Sequence, residues 1–270
     1  MSYTRALWLM TVSITLSHLA SAQLAPSTLS KRDTQAIEIL ARAEQAAGGM
    51  QALASSHYIR ETGEITLCRG KEDEQLEGPV TIQLSGGSHF RMDADFPEGK
   101  WTWIVKDGGG SKEEDGRIIP IFHKAAINLG DLTYPLGYIA PALADSATDV
   151  SFIDVEKLNG RAVYRLQLKG GLGLTSQPKS RDTIIKDLLV DVLNFDILAV
   201  EDRPFEAHRP GMTPDSPTRT VEFSDFRQVH GIRFAFSIRT KLLGHQVLDI
   251  RLNEVELNTS PSQNAFQIHW

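Results

Sequence analysis

Cysteine is nearly absent. Cys68 is the only one in 270 residues, so no internal disulfide can form and a packed core has to supply the stability. Cys68 closes an apolar strand pattern and reads as a buried free thiol. Positive charge is also scarce: Lys and Arg number 28 against 34 Asp and Glu, a formal net charge of −6. A mildly acidic surface excludes nucleic acid as a partner and gives no electrostatic grip on anionic lipid. The eight histidines form no HExxH, no HxH and no pair at helical spacing, so metal binding has no anchor.

Signatures of catalysis are missing too. No Gly-x-Ser-x-Gly elbow occurs. Gly170, Gly171 and Gly173 lie close together, but no Gly-Lys-Ser/Thr follows and the strand before them does not feed a helix, so this is a hairpin connector and not a phosphate loop. The carboxylates of 71–77 and 113–115 fall in polar turns and read as solvated charge. His208, near Asp202 and Glu206, is a loop histidine. The expectation is therefore no catalytic residue, no metal and no cofactor, and a protein that is not an enzyme.

Long apolar runs are absent except near the start. Arg5 precedes an apolar stretch over 6–16, and Ala20 and Ala22 place small residues where a signal peptidase reads. The stretch is too short for a membrane span, so residues 1–22 read as a secretory signal peptide without a lipid-attachment cysteine. Its removal takes one basic group and leaves a charge of −7. Export without disulfides points to a bacterial periplasm, and makes the Asn258-Thr259-Ser260 sequon accidental.

What the chain does contain is alternation. Residues 220–257 alternate apolar and polar side chains in three runs, broken at His230-Gly231 and Gly244-His245. Period two puts one side of each strand on a core and the other in water. Similar patterns recur at 57–68, 79–92, 101–105, 117–122, 150–155, 161–169, 187–192 and 197–202. Turns fall at Gly86-Gly87, at 108–110, at Asn159-Gly160 and at 193–196. The spacing predicts ten to twelve mostly antiparallel strands. One amphipathic helix over 33–47, capped by Asp33 and ended by Gly48-Gly49, precedes them, with a short helical turn at 50–54.

Residues 121–145 break the pattern. They are apolar without alternation, and Gly130, Pro135, Gly137 and Pro141 prevent one straight helix. Short helices lying across the greasy face of the sheet, as a lid or plug, are expected. The candidate cavity residues are Trp101, Trp103, Leu129, Leu132, Leu136, Ile139, Leu143, Phe223, Phe234 and Phe236.

Two segments, AIEILARAEQAAGGMQAL (36–53) and FSDFRQVHGIRFAFSIRT (223–240) within the run to Phe266, resemble the LolA/LolB-like superfamily of outer-membrane lipoprotein-sorting proteins. The hairpin turn at 193–196 is similar to an Asp-rich turn of those proteins. The resemblance implies an α+β fold: a large antiparallel sheet curved into an open half-barrel, with an N-terminal helix and a broken helical lid over the concave face. It also implies one half-barrel domain over 23–270 and a cavity for acyl chains. The expected function is that of a periplasmic carrier for lipid or acylated lipoprotein, with a membrane protein as donor or receptor. The alternative is a periplasmic sensor module of the same fold that reads lipid or envelope protein and binds a membrane partner. The carriers' functional arginine has Arg60 and Arg91 as candidates here. The segments 108–116 and 204–217 read as loop insertions relative to compact carriers.

Overall fold

The computed structural model of the protein describes residues 31–69, 74–133, 139–170, 184–202 and 219–268. The expected signal peptide, the connector after Gly170, the loop 204–217 with Glu206 and His208, and Leu136 all lie outside these residues.

Helix α1 (Thr34–Ala47) starts where the sequence places it. The Asp33 carboxylate accepts hydrogen bonds from the backbone N–H groups of Gln35 and Ala36, satisfying two donors that a helix start leaves open. Its buried residues Ala36, Ile39, Leu40, Ala43 and Ala47 recur at helical spacing along one stripe. Gly48, at φ 128°, ends α1 and leads into α2 (Gly49–Ser55). A Cβ on Gly48 would stand 2.6 Å from the Gly231 carbonyl oxygen, so glycine there lets the helix end pack on a hairpin turn.

A six-strand meander follows: β1 (Tyr58–Cys68), β2 (Gln75–Ser85), β3 (His89–Phe96), β4 (Gly99–Lys106), β5 (Gly109–Glu114) and β6 (Arg117–Ile121). Two short helices, α3 (His123–Gly130) and α4 (Ile139–Ala144), then lead to a second meander. Its strands are β7 (Asp149–Leu158), β8 (Arg161–Gly170), β9 (Ile184–Asp191), β10 (Ile197–Asp202), β11 (Arg219–Val229), β12 (Ile232–Leu242) and β13 (His245–Leu257). All join in one antiparallel sheet in the order β6-β5-β4-β3-β2-β1-β13-β12-β11-β10-β9-β8-β7. The two meanders meet at β1 and β13, with Ile59 opposite Leu257 and Ile65 opposite Ile250. The edge strands β6 and β7 do not pair with each other, and the sheet stays an open half-barrel. Helices and lid share a single core with its concave face, which carries Ile59, Ile82, Phe90, Leu188, Phe234 and Ile250 among others. Each such side chain contributes about 1.5–3 kcal/mol by leaving water.

Three expectations are corrected. The described residues hold thirteen strands, because 108–116 is not a loop: it is mostly β5, paired with β4 and β6. Glycine, lysine and glutamate give a poor local strand signal, and cross-strand pairing overrides it. Gly110 is required there, since a Cβ would fall 1.9 Å from the Ile104 carbonyl oxygen. With β5 a strand, Glu113 and Glu114 leave the turn, and Glu114 pairs with Lys112 and Arg69. Cys68 is free but only half-buried. Pro141 lies inside α4, in its first turn, where the missing N–H costs nothing.

Candidate functional site

The concave face gathers the residues that alternation singled out. Trp101, Leu132, Ile139, Phe223, Phe234 and Phe236 are buried in one continuous apolar cluster, and Trp103, Leu129 and Leu143 pack against it half-buried. The lid residues thus sit directly on the strand residues. α1 spans the β7–β12 side and touches α4, whereas α3 touches β5. Among the described residues the expected lid is two separate helices, α3 set against β5 and α4 against α1.

Polar contacts hold these helices in place, and the sequence reading missed them. Asp131, just past α3, is fully buried. Its Oδ2 accepts a hydrogen bond from Lys186 Nζ of β9 at 2.5 Å and a second, shorter one from Arg219 of β11. Lys186 Nζ also reaches Asp202 Oδ1 at 2.8 Å, and Arg219 donates to the Asn128 carbonyl of α3 at 2.7 Å. Burial pushes the Asp131 pKa up and outweighs the two cations that pull it down. Among the described residues two carboxylates meet this fully buried lysine and offset the cost of its charge. The signal was present: Lys186 has the parity of Leu188 and Val190, which face the core.

Arg32 holds α4. Its guanidinium donates to the carbonyl oxygens of Ala142, Leu143, Asp145 and Thr148 at 2.7–3.2 Å, closing the helix end with a cation where the dipole favours one. Among the described residues neither candidate arginine is bonded to α3 or α4. Arg60 pairs with Glu256, and Arg91 pairs with Asp93 and donates to the Ala265 carbonyl oxygen.

At the β4–β5 end the face becomes aromatic and cationic. Trp101 and Trp103 stand edge to face, 5.9 Å between centroids. Lys112 Nζ lies 4.1 Å from the Trp101 centroid and 5.2 Å from that of Trp103, and the Arg69 guanidinium lies 4.8 Å from Trp101. The cations cap the end of the apolar surface and hold the indoles by cation–π attraction.

The Asp-rich turn is built by its acids. Asp191 Oδ1 accepts from the N–H groups of Leu193 and Asn194, and Asp196 receives both guanidinium arms of Arg233. His230 and His245 are exposed at their turns. The Asn258 side chain accepts from the His57 N–H and donates to the Ser55 carbonyl, so the sequon asparagine is occupied within the fold. Opposite the lid, the outer face carries a crease of about 240 Å³ lined by Arg161, Leu198, Glu222, Ser224, Ser237 and Arg239. Of the expected cavity residues only Phe223 borders it. Among the described residues no three His, Cys, Asp or Glu side chains group as metal ligands, and no helix is long and apolar enough to cross a membrane.

No protein-family model matches the sequence, and no curated protein is similar to it in sequence. Solved structures are similar in fold. A domain from Vibrio parahaemolyticus assigned to outer-membrane lipoprotein sorting matches with a TM-score of 0.52 and 12% identity, over 86% of this chain and 96% of that one. A DUF1329 family protein from Desulfovibrio piger matches at 0.54 and 13%, over 88% and 98%. A LolA superfamily protein from Nitrosomonas europaea matches at 0.53 and 13%, over 85% and 96%. The chain has the LolA-like fold.

Proposed function

We propose that the protein is an extracytoplasmic carrier that shields the acyl chains of a lipid or lipoprotein on the concave face of its half-barrel. The observation that carries this reading is the way that face is covered. An apolar surface spanning most of the sheet is roofed by short, separately anchored helices instead of a second sheet or one continuous helix. A roof in pieces can part from the sheet piece by piece, and each methylene of a chain taking its place contributes about 0.8 kcal/mol. Transfer then needs binding and release and no covalent change. The resemblance in fold to a lipoprotein-sorting domain agrees with this, as does the apolar stretch over 6–16, which fits an exported chain.

Native mass spectrometry of the protein purified from a periplasmic extract without detergent tests the reading. A stoichiometric lipid or acylated peptide is expected in the wild type and absent from a Leu132→Asp variant, which puts a charge under the roof. A protein that stays free of ligand after incubation with envelope lipids overturns the carrier reading and leaves the roof as ordinary core; recognition of a membrane partner is then the function to test.

A further inference from the structure

One buried acid on the concave face stands out. Glu61 lies in β1 with the parity of Ile59 and Ile65, and its cross-strand neighbours are Ile82 of β2 and Val255 of β13. All four are core residues, and Glu61 itself is 1% exposed. Among the described residues its Oε2 has no hydrogen-bond partner, and the same is true of Trp101 Nε1 on the same face. A buried polar atom without a partner costs about 1–3 kcal/mol; Asp131 Oδ1 and Thr240 Oγ1 on the other half of the face share this condition, and a carboxyl set among isoleucines and valine calls most for an explanation.

Charge does not supply it. On β1 and the strands beside it, Arg60, Glu64, Glu77, Arg251, Glu254 and Glu256 alternate with the core residues and stand on the outer face, as do Arg91 and Asp93 of β3. On the concave side the charged residues of β5 are Lys112 and Glu114, four strands away and paired with each other. Of the α1 residues, Glu38 and Arg42 are exposed and Glu44 is half-buried, and that helix contacts β7, β12, α2 and α4. α3 carries His123 and Lys124 in its first turn, and it contacts β5. Asp131, Lys186, Asp202 and Arg219 pair with one another on the far half of the sheet. Burial alone raises the Glu61 pKa to about 8, so the group is an uncharged carboxylic acid at neutral pH, a donor as well as an acceptor.

We propose that Glu61, in its protonated form, is the polar anchor of the concave site, donating a hydrogen bond to the carbonyl oxygen of an acyl ester or amide whose chain lies on the apolar face. This rests on the carrier reading and narrows it to neutral acyl derivatives. The row of Glu61 across the sheet runs through Ile82, Met92 and Trp103 and reaches a cation, Lys112, only at its far end four strands away. A free fatty acid would therefore set a second acid beside Glu61 with no cation next to it, whereas an ester or amide brings an acceptor and no charge. Trp101 Nε1, three strands away, supplies a second buried donor at about 14 Å.

A matched pair of fluorescent probes tests it: pyrenedodecanoic acid methyl ester and dodecylpyrene, which differ in the ester group. At pH 6.5 the wild type should bind the ester about tenfold more tightly than the hydrocarbon, the worth of one buried hydrogen bond. That advantage should shrink as pH rises past 8. Glu61→Gln, which keeps a donor, should retain the advantage without pH dependence; Glu61→Leu, which suits the apolar surroundings, should lose it while binding the hydrocarbon normally. Equal binding of both probes by wild type and Glu61→Leu overturns the role of Glu61 and leaves the carrier standing. Binding of neither probe by the wild type overturns both.

Discussion

Replacing Glu61 by glutamine should alter the stability of the protein in a way that depends on pH and on nothing else nearby. The unfolded chain releases the Glu61 proton near the ordinary value of 4.5, and the folded chain holds it to about 8. Between those values the folded state carries a proton that the unfolded state has lost, so stability falls as pH rises. The contribution is fully present below pH 4.5, declines through the window and levels off above 8. At about 1.36 kcal/mol per pH unit the difference reaches roughly 5 kcal/mol, an upper figure because a strained site admits water before it pays in full. Glu61→Gln has the same shape and no proton to lose. Urea unfolding at intervals from pH 4 to 9 reads the effect, because other titrations cancel in the difference between the two proteins. With a slope of roughly 3 kcal/mol/M, the wild-type midpoint should drop relative to the variant by about 1.5–2 M across the window. Parallel curves for the two proteins would refute the reasoning, since they would mean that Glu61 titrates alike folded and unfolded and is not sealed in the core.

Asp131→Ala should destabilise the protein by about 3–5 kcal/mol, because it takes one of its carboxylate partners from the buried Lys186; adding Lys186→Met should recover most of the loss, and urea midpoints of the single and double variants check this. Arg32→Met should cost about 1–3 kcal/mol and raise amide hydrogen exchange chiefly over 142–148, where its four carbonyl partners lie. Gly63→Ala should cost more than 2 kcal/mol, since a Cβ there falls 2.1 Å from the Arg251 carbonyl oxygen at the bulge between β1 and β13. Asp33→Ala should remove about 1 kcal/mol by uncapping α1, with no change in ligand uptake.

The sheet was legible in the sequence because alternation, Gly turns and a capped amphipathic helix are local signals. The runs at 220–257 become β11, β12 and β13 with their turns in place. β5 was illegible because Gly109 to Glu114 carries no alternation, and only its neighbours make it a strand. The aromatic and lid residues were recognisable by their oiliness, and the structure brings them into one cluster. The polar groups that give the concave face its chemistry were not, because each gains meaning from a distant partner or from having none. Lys186 reads as a surface lysine until Asp131, on another element, is seen beside it. Glu61 reads as a solvated carboxylate until the parity of Ile59 and Ile65 is applied to it.

The seam at the middle of the sheet has a consequence for how the molecule assembles. The β1–β13 pairing joins the two ends of the sheet-forming chain, and the bond from His57 to Asn258 beside it joins positions 201 residues apart, whereas every other neighbouring pair of strands is consecutive in the chain. Each meander can zip up from its own turns, but the inner faces of β1 and β13 stay uncovered until the two halves dock. During that interval each half presents a long, unpaired edge, the feature by which sheets add to foreign strands. Docking of the halves should therefore be the slow step of folding, and a holdase that occupies the β1 edge should delay it more than one bound at β6.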